Sequence, residues 1–200
     1  MEHTQNSITL RGQLQQLPQF SHENHGRRFF RFTLEVPRLS GTVDYLPVVA
    51  PESVLYGIDP TAGSQLLVTG QIRSHNQRSD GVRHLLIFVY ATAIEACDGD
   101  SINEVILEGP LCKEPIIRAT PLGRQICDVM LAVKRPFHRA DYLPCILWGR
   151  TAQDICQCSV SDEIRIVGRL QSRVYTKQLS EGPVQRTAYE ISALTAQILT

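Results

Sequence analysis

The sequence predicts an all-β protein made of two tandem five-stranded Greek-key barrels, each with one short helix. Three observations carry this prediction: the chain repeats itself, its apolar residues alternate with a period of two, and that alternation lapses once within the module before resuming. The repeat is direct. "NSITLRGQL" from Asn6 returns as "NEVILEGPL" from Asn103, and "DYLPVVA" from Asp44 as "DYLPCIL" from Asp141, both displaced by 97 residues. At the same displacement Gly12 meets Gly109, Leu14 meets Leu111, Gly26 meets Gly123, Leu34 meets Leu131 and Arg38 meets Arg135. Further on the register slips by one, pairing "VTGQIRS" at Val68 with "IVGRLQS" at Ile166. Two copies of a module of about one hundred residues account for this. The acidic, Gly-containing join "CDGDS" separates residues 1–97 from 101–200.

The second module shows the elements in order. "NEVILEGPL" opens as a strand interrupted by Gly109, where a bulge or bend is expected. After the "TPLG" hairpin, "ICDVMLAV" places Cys127, Val129, Leu131 and Val133 on one side and Ile126, Asp128, Met130 and Ala132 on the other. In "DYLPCILW", Leu143, Cys145 and Leu147 belong to the barrel interior, while Tyr142, Pro144, Ile146 and Trp148 point outward. "GRTAQDICQC" loses the alternation and is expected to form the helix. "SDEIRIVGRLQSRVY" resumes as a long strand, and "TAYEISALTAQIL" closes the module. This order is that of the oligonucleotide/oligosaccharide-binding (OB) barrel, and the single mid-module helix disfavours a β-sandwich.

Composition bounds the function. Twenty basic and twenty acidic residues cancel, so neither a histone-like protein nor one driven by a charged tail fits, and any polyanion site must be local. Only Lys113, Lys134 and Lys177 are lysine; the other basic residues are arginine, whose plane stacks on rings and forks onto phosphates. Six cysteines lack CxxC spacing and a secretory signal, so idle or buried thiols are expected. No apolar run approaches a membrane span, and a cytoplasmic protein without membrane contact is expected. Enzyme motifs are missing: there is no phosphate-cradling Gly loop, HExxH or GxSxG, and the histidines are scattered. His22 and His25 in "SHENHG" read as a polar hairpin rather than a metal site. No catalytic residue, metal or cofactor is expected.

Cations and rings gather in one place. "KRPFHRADYLPCILWGR" interleaves Phe137, Tyr142 and Trp148 with Lys134, Arg135, Arg139 and Arg150. Along "RIVGRLQSRVYTK" the outward parity carries Arg165, Arg169, Arg173, Tyr175 and Lys177, a cationic ladder ending in a ring. Bases stack on aromatic faces whatever their identity, and a phosphate chain needs cations along its track. The ring and cation set therefore predicts sequence-tolerant binding of single strands, with RNA open alongside DNA because stacking does not distinguish the sugars. Burial of Trp148 and Tyr175 against the helix or a partner subunit is the plain alternative. In the first module Ser40, Pro51, Gln71, His75 and Gln77 stand where the second has Phe137, Trp148, Arg169, Arg173 and Tyr175. Arg31, Arg38, Tyr45 and Arg73 remain as weaker candidates, with Arg27 and Arg28 near "GRRFFRF". The first module is thus expected to bind weakly or to serve as a structural partner.

"NEVILEGPLCKEPIIRATPLGRQICDVMLAV", "DYLPCILWGRTAQ", "IRIVGRLQSRVYT" and "RTAYEISALTAQIL" together resemble the bacterial single-stranded DNA-binding protein (SSB) family, from Asn103 to Leu199. The resemblance implies OB barrels that wrap single-stranded DNA with little sequence preference in replication, recombination and repair, in a nucleoid-associated protein. By motif, Tyr142, Trp148 and Tyr175 occupy base-stacking positions, and Phe137 lies in a loop of variable length. Family members commonly assemble four barrels, so a two-barrel chain is expected to pair as a homodimer; a pseudo-dimeric monomer is the other arrangement. The chain ends "LTAQILT", without the family's disordered segment and acidic tip, so recruitment of replication enzymes by such a tail is not expected. An accessory or primosome-type factor, or a protein-interaction scaffold on the same barrel, is the competing reading.

Overall fold

The computed structural model describes residues 6–79, 82–120, 122–179 and 182–199. The first module contains β1 (Asn6–Leu14), β2 (Gln19–Asn24), β3 (Arg27–Pro37), β4 (Val43–Pro51), β5 (Gln65–Ser79) and β6 (Val82–Ala96). The second repeats it as β7 (Ile102–Pro110), β8 (Ile116–Ala119), β9 (Gln125–Arg135), β10 (Arg139–Trp148), helix α1 (Gly149–Ile155), β11 (Glu163–Leu179) and β12 (Gly182–Ile198). In the first module β1 pairs with β3, β3 with β4, β4 in parallel with β6, β6 with β5, and β5 with β1. That closes a five-stranded OB barrel, with β2 added as a hairpin on β3. The second barrel has the same connections, including the parallel β10–β12 pair, and Leu111 bridges to Leu131 to complete it.

Alternation decides which side faces in. Cys127, Val129, Leu131 and Val133 of β9 are buried, as are Leu143, Cys145 and Leu147 of β10. The outward side is less uniform than parity alone predicts: Ile126 and Ile146 are also buried, each lying mid-sheet between two paired strands. Gly109 is required by close approach, since a Cβ there would meet Ala132 O at 2.7 Å where the barrel closes. The bulges lie elsewhere, at Phe20/His22, Thr69/Gly70 and Val167/Gly168, and Gly70 and Gly168 press on the backbone of the facing strand. A second difference concerns the helices. Among the described residues only the second module has an α-helix; after β4 the first has a 3₁₀ turn, Glu52–Val54, ended by Gly57 at φ +81° and by Pro60.

The barrels join edge to edge. β1 and β7 pair antiparallel over six residues from Asn6↔Leu107 to Arg11↔Ile102, so that one twelve-stranded ladder runs through both modules. Where β1 leaves β5, the buried Asn6 amide takes over the ladder by bonding the backbone N and O of Ile72 at 2.8 and 2.7 Å. Asn103 does the same at Leu170. This is why an asparagine opens both copies of the repeat. The seam also holds two fully buried carboxylates. Asp44 accepts two bonds from Arg38 and one each from Ser172 N and Oγ across the seam. Asp141 accepts from Ser74 N, Arg73 and Arg135. Reciprocally, Tyr45 N donates to Ser172 Oγ and Tyr142 N to Ser74 Oγ.

All six cysteines are free thiols. Burial pushes Cys127 up to about 11 and Cys145 higher still. Thiols whose folded pKa is raised stabilise the fold fully below their ordinary value near 9 and lose that contribution as pH rises toward the folded value. Alkaline stability should therefore fall above pH 9, and Cys127 and Cys145 should react with a thiol reagent at pH 8 only on unfolding. Titration with and without denaturant checks this, and prompt modification of all six in the native protein would contradict it.

Candidate nucleic-acid interface

The outer face of the second barrel presents the expected rings. Tyr142, Trp148 and Tyr175 are 45%, 37% and 37% exposed, and Phe137 stands almost free at the tip of the β9–β10 turn with φ +63°. Trp148 ends β10 and leads into α1. Its Nε1 donates to Ser192 Oγ at 3.1 Å, and Ser192 pairs with Arg169 across β11–β12, so the indole is held beside that arginine's strand. The Arg173 guanidinium lies 5.6 Å from the Tyr175 centroid. Half-exposed rings with fixed orientation offer flat apolar surface at small ordering cost.

Both β5–β6 and β11–β12 continue past their barrels as long hairpins, an extension that sequence alternation hides because Val174 keeps the inward parity yet is 64% exposed. Between the hairpins runs a groove of about 570 Å³ lined by Pro144, Tyr175, Tyr189, Leu85, His84 and Arg186. Arg186 Nη1 lies 3.0 Å from His84 Nδ1 and ties the hairpins together. Arg186 and Tyr189 escaped the sequence reading. Their only signal was that they fall on the strand paired with "GRLQSRVY".

The cations divide into two groups. Arg139 and Arg150 are exposed and form no ion pair among the described residues, and Arg31 is likewise open. Lys134 is exposed, with Glu163 at 3.7 Å. Arg169 is half-buried, its Nε without a hydrogen-bond partner among the described residues. Arg38, Arg73 and Arg135 differ from the expectation of free phosphate contacts, because buried carboxylates at the seam already occupy them. Asp44 holds Arg38 above its ordinary pKa. The expected cationic ladder is also interrupted. Arg165 pairs with Glu108, Gln171 is buried against Glu190, and Glu190 lies 3.7 Å from Arg173. Tyr45 is 44% exposed, like its counterpart Tyr142. The Lys177 side chain lies outside the described residues.

A paired-barrel OB architecture with exposed rings and arginines on one sheet face defines a nucleic-acid-binding class of protein. The chain belongs to the single-strand binding protein family, whose model matches residues 102–199. It is 36% identical over 83 residues to single-stranded DNA-binding protein B of Bacillus subtilis (strain 168), covering 74% of that protein and 38% of this chain. It is 31% identical over 107 residues to the single-stranded DNA-binding protein of Oceanobacillus iheyensis, covering 63% of that protein and 49% of this chain. Among solved structures, the wild-type single-stranded DNA binding protein from Thermus aquaticus superimposes with a TM-score of 0.79 at 23% identity, over 98% of this chain and 93% of the other. That likeness shows a shared fold along nearly the whole chain.

Proposed function

We propose that this protein binds single-stranded DNA with little sequence preference, in replication, recombination or repair, acting as a binding protein rather than an enzyme. The observation that carries the reading is the outer face of the second barrel, where Tyr142, Trp148 and Tyr175 stay exposed among Arg150, Arg169 and Arg173. Bases stack on the rings while Arg139, Arg150 and Arg173, with Lys134 and Lys177, follow the phosphates. In this reading residues 101–200 form the principal strand-binding domain and residues 1–97 its divergent copy. The protein works in the bacterial cytoplasm on the nucleoid and pairs as a homodimer that brings four barrels to one strand; sedimentation analysis tests the pairing.

Trp148 is the only tryptophan, so its fluorescence reports on this face alone. Titration with poly-dT should quench it saturably, and log affinity should fall with log salt at a slope near 0.7 per phosphate contacted. Lack of both quenching and anisotropy change would reject the reading. A matched poly-U titration distinguishes DNA from RNA.

A further inference from the structure

The first barrel lost the ring that corresponds to Trp148, yet the structure shows rings on either side of the vacated position. Pro51 stands at the Trp148 place and pairs with Phe29 on β3, where the second barrel has Ile126. Two residues earlier on β4, Val49 pairs with Tyr90 on β6, where the second barrel has the Ser192 that anchors Trp148. One ring has gone from the central strand and two have come in on its neighbours. Phe29 and Tyr90 lie 6.4 Å apart, and His22 stacks parallel on Phe29 at 4.7 Å. The Arg73 guanidinium lies 5.8 Å from the Tyr90 centroid. Phe88, opposite Arg73, replaces Glu190, the acid that interrupts the second barrel's face.

His22, Phe29, Val49, Phe88 and Tyr90 line a groove of about 980 Å³. Among the described residues no carboxylate lines it, whereas Arg31, Arg135 and Arg139 do. Arg31 and Arg139 are exposed and carry no ion pair among the described residues. Arg139 comes from β10 of the second barrel, so the groove is continuous with the face described above. Flat rings beneath a rim of one sign of charge fit a chain of bases and phosphates; an apolar protein contact would not need unpaired arginines at its edge.

We propose that the first barrel carries a second stacking site for single-stranded nucleic acid, built from His22, Phe29 and Tyr90, with Arg31 and Arg139 taking phosphates as the strand crosses from the second barrel. The site rests on the reading that the second barrel binds single strands, and the test separates the two. Trp148 quenching with a dT oligomer of about 8 nucleotides reports the second barrel alone, while anisotropy with one of about 35 nucleotides reports both. Phe29→Leu/Tyr90→Leu keeps apolar bulk and removes the rings; His22→Ala/Arg31→Ala alters only exposed positions. Both should leave the short-oligomer affinity within about twofold and lower the long-oligomer affinity roughly tenfold or more, with fewer nucleotides occluded per chain. Unchanged long-oligomer affinity and occluded length in both variants, with Trp148 quenching intact, would overturn the second site. A smaller species in sedimentation, with strand binding unchanged, would overturn it in favour of a protein contact. If the unaltered protein neither quenches nor changes anisotropy, the second-barrel reading fails first and this site falls with it.

Discussion

Trp148→Ala combined with Tyr175→Ala should weaken binding of a dT oligomer by about thirtyfold or more at moderate salt while the protein stays folded. Each stacked base is worth roughly 1 to 3 kcal/mol, so two rings together supply about 2 to 6 kcal/mol, and every 1.4 kcal/mol is about tenfold in affinity. The fold should tolerate the loss. Both side chains are more than one-third exposed, and neither belongs to the contiguous core that Leu131, Leu143 and Ile166 help to form. The one internal bond lost is Trp148 Nε1 to Ser192 Oγ, which leaves a buried hydroxyl to find water at a cost of about 1 kcal/mol. Trp148→Phe with Tyr175→Phe should restore most of the affinity, because stacking needs the ring and not its polar tip. Anisotropy titration beside a thermal melt checks both parts. An intact, folded double-alanine protein that binds as before would move the site elsewhere.

The second large effect concerns the seam. Asp44→Ala should cost about 3 to 5 kcal/mol of stability, and Asp141→Ala a similar amount, because each leaves a half-buried guanidinium without its counter-charge and a partly buried backbone N–H without an acceptor. Asp44 serves Arg38 through two bonds of 2.7 and 2.6 Å, and its bonds to Ser172 bridge the two barrels. Arg38, held above its ordinary pKa chiefly by that carboxylate, contributes its stabilisation in full at every pH below that ordinary value and loses it only under still more strongly alkaline conditions. Urea unfolding is the measurement. A loss under about 1 kcal/mol in both variants would show that the backbone pairing of β1 with β7 holds the barrels together without the carboxylates.

Much of this molecule was written in its residue pattern. Period-two alternation is a local property, so the inward sets of β9 and β10 follow directly from it, and the repeat at 97 residues imposes the same barrel twice. The matched glycines Gly12 and Gly109 stood out in the repeat, but the bulge or bend expected at Gly109 is instead a close approach of backbones, where a side chain would strike Glu35 or Ala132. Local pattern also placed Trp148 and Tyr142 on the outward side.

What the pattern could not carry were pairings between distant segments. Arg38, Arg73 and Arg135 look like free cations in one dimension, because a buried carboxylate partner is visible only once the barrels dock, and the Ser172 and Ser74 amides that complete those sites come from the opposite module. Alignment of the first module against the second finds Pro51 in place of Trp148 and reports a lost ring, since a linear comparison tests one position at a time. Cross-strand register brings Phe29 and Tyr90 to that patch from residues far apart in the chain. The barrel, its duplication and the outward rings are legible in one dimension, since each depends on local alternation or on repetition. Which charges remain free, and where the first barrel keeps its aromatic surface, emerge only on folding, because both depend on which strands become neighbours.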